Sequence, residues 1–252
     1  MKERLKVIKE FIDKAGSVSF KDLETAFPTV SSMTLRRDLI RLEENNEIKR
    51  VLGGAISIDS IVKTKEIEFN ERIKFKAEEK LEIADKTVQL VERKSCIFID
   101  GGSTTTYFAR ALPDDSYYVL TNAFSVAETV LRKDKPLVAI LGGDVMRTHL
   151  ITVGKSCEDF IGNVNIQTAI MTATGYVPET FSFTCGSQAE VEIKRAVIKN
   201  AQKVIMLLDG SKVDKRTPYN FATLFDIDCM VVDKKFPQDI KAQIEGKNIK
   251  VY

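Results

Sequence analysis

The chain has 252 residues, 44% of them hydrophobic and 29% charged, with a formal net charge of +2. This length suits two domains, and this composition suits globular cores under a well-solvated surface, which excludes a disordered or collagen-like chain. The first sixty residues carry eleven Lys and Arg against ten Asp and Glu, so a nucleic-acid partner cannot be argued from bulk charge, only from where the basic residues sit.

Leu5, Ile8, Phe11 and Ile12 recur at helical spacing and predict a first helix over Arg4–Lys14, ended by Gly16. Ser19 suits the N-cap of a second helix, Phe20–Ala26, with Asp22 in its first turn. Phe27-Pro28-Thr29 breaks that helix. Ser31 then caps a third, from Ser32 to about Asn45, with Met33, Leu35, Leu39 and Leu42 as its expected apolar stripe. Ile48–Leu52 and Gly53–Ile56 read as two short strands around a glycine turn. Residues 59–76 are charged and lack a core face, which predicts a linker entering a helix. Ala77–Val91 is strongly helical, through Leu81, Ile83, Ala84, Val88, Leu90 and Val91.

The rhythm changes at Ser95. Strands are predicted at Cys96–Ile99, Tyr117–Leu120, Leu137–Leu141, Thr168–Thr172, Lys203–Leu208 and Cys229–Val232. Helices are predicted at Thr105–Leu112, Ala123–Arg132, Ser187–Asn200 and Pro237–Glu245. Such alternation predicts an α/β domain with a mainly parallel sheet. The expected organisation is a domain of three helices and a strand pair over 1–58, a linker over 59–76 and an α/β domain over 77–252.

Cys96, Cys157, Cys185 and Cys229 contain no C-x-x-C pair, and Cys96 and Cys229 read as small buried hydrophobes. The start, Met1-Lys-Glu-Arg-Leu-Lys-Val-Ile, is charged and amphipathic rather than a secretory signal. No apolar run approaches the roughly 18 residues of a membrane span, and a cytoplasmic protein is expected. His149 is the single histidine and stands in a loop with no accompanying motif. No catalytic residue, metal site or cofactor is assigned. Tyr117, Tyr118, Phe221 and Phe225 read as core.

Three short helices with a tight turn between the second and third suggest a helix-turn-helix, whose third helix enters the DNA major groove. Ser31, Ser32, Thr34, Arg36 and Arg37 would then face DNA, because arginine reads guanine through two hydrogen bonds and hydroxyls hold phosphates or base edges. The strand pair would be a wing, with Lys49 and Arg50 at phosphates or the minor groove. Gly53 and Gly54 would allow close backbone approach. A helical domain with solvated arginines stands beside this reading.

Strand Cys96–Ile99 runs into Asp100-Gly101-Gly102-Ser103-Thr104-Thr105-Thr106 and a helix start. Backbone N–H groups, hydroxyls and the positive helix end together suit an anion. It is neither a Walker loop, lacking the lysine, nor a G-x-G-x-x-G turn. Small or polar residues recur at three other strand ends: Thr121-Asn122, Gly142-Gly143-Asp144 and Asp209-Gly210-Ser211-Lys212. Ligands of open α/β sheets bind outside such ends. Lys194 could bring charge there, or be a solvated helical lysine.

The run Val30-Ser-Ser-Met-Thr-Leu-Arg-Arg-Asp-Leu, then Leu42-Glu and Arg50-Val-Leu-Gly-Gly-Ala, resembles the DeoR family of transcriptional regulators over residues 3–56. Asp100-Gly-Gly-Ser-Thr-Thr, Thr121-Asn122, Gly142-Gly143, Glu190 with Lys194, and Asp209-x-Ser-Lys212 resemble that family's sensor domain, from about Glu68 to Asp233. The resemblance implies a winged helix-turn-helix followed by a larger α/β domain similar in fold to ribose-5-phosphate isomerase. It implies a homodimeric or homotetrameric repressor of a carbohydrate operon. Its affinity for double-stranded operator DNA would be set by a phosphorylated sugar or sugar derivative. Gly102, Ser103, Thr104 and Thr105 would hold the ligand, among Gly101, Thr121, Asn122, Gly142, Gly143 and Glu190. Lys194 and Lys212 would neutralise charge, and Asp100 and Asp209 would face hydroxyls or fix the loops. The chain departs from the pattern at Gln167, at Thr172 and in Phe181-Ser-Phe183, which predicts an altered effector preference. The competing readings are an isomerase-like enzyme using Asp100, Glu190 or Asp209 as base, and a sugar-phosphate-regulated protein scaffold.

Overall fold

The computed structural model describes residues 2–15, 17–45, 47–51, 53–57, 69, 71–147 and 149–252. The chain divides into two compact units, Met1–Glu68 and Phe69–Tyr252. Of the expected linker, residues 59–68 and 70 lie outside the described residues; 71–74 are helical.

The first unit comprises α1 (Lys2–Ala15), β1 (Ser17–Ser19), α2 (Phe20–Ala26), α3 (Ser32–Glu44), β2 (Ile48–Val51) and β3 (Gly54–Ser57). Both expected caps are present. Ser19 and Asp22 form a reciprocal capping box at α2, and the Ser31 side chain accepts from the Thr34 N–H at α3. The core gathers Ile8, Ile12, Leu23, Leu35, Leu39, Leu42 and Ile48. Met33 is a correction: it is 76% exposed. At 3.6 residues per turn it stands about 160° around the helix from Leu35. Asp38 takes a place on the inward face instead, fully buried, with its carboxylate 2.7 Å from Arg4 Nε. The sheet is three-stranded and antiparallel in the order β1-β3-β2. The strand β1 is too short for periodicity to reveal. Gly53, at φ +83°, makes the turn between β2 and β3.

The second unit contains α4 (Ala77–Val88), β4 (Cys96–Ile99), α5 (Ser103–Ala111), β5 (Tyr118–Thr121), α6 (Phe124–Val130), β6 (Leu137–Ile140), β7 (Asp144–Met146) and β8 (Ile151–Val153). It continues through α7 (Lys155–Ile161), β9 (Ile166–Thr172), β10 (Gly175–Val177), β11 (Ser182–Cys185), α8 (Gln188–Asn200) and β12 (Ala201–Leu208). It ends with β13 (Tyr219–Thr223), β14 (Cys229–Val232), α9 (Gln238–Glu245) and β15 (Lys250–Val251). Seven strands form one sheet in the order β15-β14-β12-β9-β4-β5-β6, every pair parallel. All six strands expected from the apolar runs lie in it. The strands not foreseen lie outside that sheet, apart from the two-residue β15. β7 and β8 form a hairpin, and β10, β11 and β13 form a separate antiparallel sheet. All four residues of β11 are buried, so no polar alternation marks it.

Four expected core positions differ. Leu81, Tyr118 and Phe225 are exposed, and Cys96 is only half-buried. Each sits at an element end or on an outer helix face, where an apolar residue is tolerated singly. Among the described residues, no helix is long and apolar enough to cross a membrane.

The strand order positions the site. β4 has β5 on one side and β9 on the other. The chain leaves β4 toward β5 and β6, then returns across the sheet to β9. Loops diverge at such a reversal and leave a crevice at the carboxyl ends of the strands.

Candidate functional site

In the first unit the α3 start is rigidly held. Ser31 Oγ lies 2.9 Å from Thr34 Oγ1 and 3.3 Å from its N–H. Ser32 donates to Glu24 Oε1 at 2.5 Å, tying α3 to α2. The Arg36 guanidinium lies over the Phe20 ring, 4.3 Å from its centroid. Arg37 is exposed. The Arg50 backbone N–H and Nε reach Glu43 at 2.9 and 2.6 Å, so this wing arginine folds onto the end of α3. The Lys49 side chain lies outside the described residues. Gly54 abuts the Val18 carbonyl across the β1–β3 pair, where a side chain would collide. Between α3 and the wing runs a groove of about 500 Å³, lined by Phe20, Arg36, Ile40, Glu43, Arg50 and Gly53.

In the second unit the crevice between β4 and β9 holds a buried ion pair. Lys194 Nζ, on α8, contacts Asp100 Oδ2, with 6% and 4% of the two side chains exposed. Nζ also donates to the Thr172 carbonyl at 2.9 Å and lies 4.9 Å from the Phe221 ring centroid. Asp100 accepts further bonds from the N–H groups of Gly101 at 2.9 Å and Thr172 at 3.1 Å. Burial opposes the Lys194 charge, but Asp100 and Glu190 outweigh it and hold the ammonium above its ordinary range. Glu190 is itself buried. It accepts from Ser187 Oγ at 3.1 Å, and His149 Nδ1 lies 3.9 Å away. The histidine that the sequence left in an unmarked loop therefore stands beside this cluster.

Gly102 passes close to β9: a Cβ there would lie 2.6 Å from Thr172 Cγ2. Thr105 and Thr106 hydroxyls turn back to the Gly102 carbonyl at 2.9 and 2.7 Å. With Thr104 they are buried, while Gly101, Gly102 and Ser103 are partly exposed.

Two strands along, β12 runs into Asp209, about 10 Å from the Asp100 turn at ordinary strand spacing. Asp209 is buried and accepts from the Ser211 N–H at 3.0 Å. Around it gathers positive charge that the sequence did not reveal. Lys80, on α4, is 3% exposed and donates to the carbonyls of Arg72 and of Phe75, the latter at 2.6 Å. Burial pushes its ammonium down to about 8; Lys212 and Arg72 repel it further, and Asp209 opposes them. Lys212 is lowered too, first by burial, then by Lys215, Arg72 and Lys76 against the pull of Asp209. A signal for Lys80 existed: it shares its helix face with Ile83, Ala84 and Thr87, all buried.

The remaining expected residues spread further. Thr121 Oγ1 bonds the Ile99 carbonyl at 2.6 Å and accepts from the Ala123 N–H at 3.0 Å, which joins β5 to β4. Asn122 Nδ2 reaches the Thr152 carbonyl at 3.2 Å, while its buried Oδ1 has no partner. Gly142 and Gly143 are exposed beyond the sheet edge, where the chain turns into β7. Gln167 accepts from the Cys96 N–H at 2.8 Å, at the amino ends of the strands, away from the crevice. Phe181 lies under Lys247 Nζ at 5.3 Å, on the segment leading to β15. Of the three departures, Thr172 alone touches the Asp100 cluster.

Chemically, the second unit offers backbone donors at the α5 start, cations at Lys80 and Lys212, and carboxylates at Asp209 and Asp100. That combination suits a small molecule with an anionic end and a hydroxylated end. Among the described residues, no group of three or more His, Cys, Asp or Glu is placed to hold a metal ion.

Comparison with known proteins covers both units. A family model described as DeoR-like helix-turn-helix domain matches residues 4–61, and one described as DeoR C terminal sensor domain matches residues 75–234. The HTH-type transcriptional regulator IolR of Bacillus subtilis is 31% identical over 92% of this chain and 90% of its own. The glycerol-3-phosphate regulon repressor of Escherichia coli is 30% identical over 96% of this chain and 94% of its own. Ribose 5-phosphate isomerase A of Methanocaldococcus jannaschii aligns over 54% of each chain, at 20% identity and a TM-score of 0.40.

Proposed function

The chain belongs to the DeoR family of transcriptional regulators, and on that premise we propose that it is a repressor whose operator affinity is set by a phosphorylated sugar or sugar derivative. It is a DNA-binding regulator; the relatives are named as regulators and repressors, not as enzymes. The observation that carries the effector assignment is the cation cluster. Lys80 and Lys212, both held below their ordinary range, stand with Arg72 and Lys76 near the Asp209 turn. Burial and mutual repulsion hold these lysines below their ordinary range in spite of Asp209, and a bound anion would favour their charged forms. The phosphate would rest on Lys80, Lys212 and the N–H groups at Gly102–Thr104, with sugar hydroxyls toward Asp209 and Asp100. The E. coli relative named for a glycerol-3-phosphate regulon supports a small phosphorylated ligand.

Two copies would place α3 on half-sites about one DNA turn, roughly 34 Å, apart. A DNA target implies a cytoplasmic location. The effector would bind one conformation better and change operator affinity about 5–150-fold, the usual range of such couplings. A thermal-shift screen of phosphorylated sugars tests this, because a ligand raises the melting temperature by mass action. Each hit is then added to a DNA-binding assay. Hits that leave DNA affinity unchanged, or that the protein interconverts catalytically, overturn the reading.

A further inference from the structure

The first two turns of α3 expose an apolar side chain that folding does not require. Met33 is the second residue of the helix and is 76% exposed. Its polar neighbours are committed: Ser31 to Thr34, Ser32 to Glu24, and Arg36 to the face of Phe20. Met33 and Arg37 are four residues apart and therefore share one outward face, on which both are exposed.

We infer that Met33 is a specificity-determining residue that packs against thymine 5-methyl groups beside the base read by Arg37. This rests on the DNA-reading assignment of α3 and names the chemistry of its first turn. The major groove offers one apolar feature, the thymine methyl, and side chains near the start of a recognition helix reach base edges. A thioether is unbranched and polarizable, and adapts to such a contact. The Ser31 hydroxyl caps the helix and bonds the Thr34 hydroxyl, so it is engaged within the protein.

The test begins with selection of a binding sequence from random duplex DNA by the full chain. Each thymine of the selected site is then replaced by deoxyuridine, which removes the methyl and nothing else. Affinities are measured at fixed salt for the wild type, Met33→Ala and Met33→Leu. The wild type should lose about three- to tenfold at one or two thymines, the scale of one buried methyl. Met33→Ala should show a similar loss on the natural site and no further loss on the uridine site, whereas Met33→Leu should retain methyl dependence. Unchanged melting temperatures for both variants confirm that they fold, as expected for an exposed position. Wild-type affinity indifferent to uridine at every position overturns the inference alone, as does a Met33→Ala loss that adds to the uridine loss. Failure to enrich any sequence overturns the DNA-reading assignment and this inference with it.

Discussion

Lys194 and Asp100, 94 residues apart in sequence, meet as a buried ion pair where the strand order reverses between β4 and β9. Thr172 completes the arrangement, giving its N–H to Asp100 and its carbonyl to Lys194. The pair joins α8, the β4 turn and the end of β9 in one polar unit. Replacing Lys194 with Met leaves the Asp100 charge buried and unpaired, which should cost about 3–5 kcal/mol of stability. Urea denaturation reads this directly. Adding Asp100→Asn should recover part of the loss; if it does not, the pair's charge is not what Lys194 compensates.

Lys80 provides a pH signature. Its folded-state value of about 8 lies below the ordinary 10.5, so the unfolded chain binds that proton more tightly. The ligand-free protein should therefore gain stability as pH rises from about 8 to 10.5. An anion reverses the shift by favouring the charged lysine. Affinity for sulfate, whose own charge is constant in this range, should fall as pH rises through 8. Lys80→Met should weaken sulfate binding by about tenfold or more, the worth of a charge-assisted hydrogen bond, and reduce the pH dependence, leaving the part that Lys212 contributes. Calorimetric titration from pH 6.5 to 9.5 measures both.

Arg37→Ala should weaken binding to the selected DNA by about 1–3 kcal/mol and relax specificity at one position. The comparison is made at fixed salt, because phosphate contacts alone produce strong salt dependence. Equal losses on selected and random DNA would assign Arg37 to a phosphate instead.

The Arg4–Asp38 pair ties α1 to α3. Because Arg4 is 35% exposed it can turn to water when its partner is lost. Asp38→Ala should therefore cost about 1–3 kcal/mol, the range for a lost buried hydrogen-bonding partner. Calorimetry of the full chain should show the loss in the transition of the first unit and leave the second unchanged.

Ser31→Ala removes the α3 cap and should cost about 0.5–2 kcal/mol. DNA affinity should fall with it, through fraying of the turn that carries Met33. A loss of DNA affinity with no change in stability would mean that Ser31 touches DNA itself.

The elements were legible where local chemistry decides them. Ser19 and Ser31 announce their helices because a cap is an interaction across three residues. The six apolar runs of strand length announce a parallel sheet because most of their residues are buried, the edge strand β6 being partly exposed. Misreadings fell on residues whose surroundings come from distant chain. Met33 looks like core in a list of hydrophobics, yet helical geometry turns it outward. Asp38, Lys80 and Lys194 look like ordinary surface charge, although each shares a face with apolar residues: Leu35 and Leu42, Ile83 and Ala84, Val191 and Val197. A charge standing in an apolar stripe was the available signal.

Residue order along the chain was thus sufficient for the two-part organisation, the helix starts, the parallel sheet and the family, since these follow from spacing, capping and motif within short windows. Which strand ends face one crevice was settled only by folding. The crossover from β6 back to β9 brings Thr172 and Lys194 to Asp100, and the packing of α4 brings Lys80 to Asp209. The physical reason is burial: a charge gains its partner and its shifted proton affinity only when solvent is excluded, and solvent is excluded by residues far away in sequence.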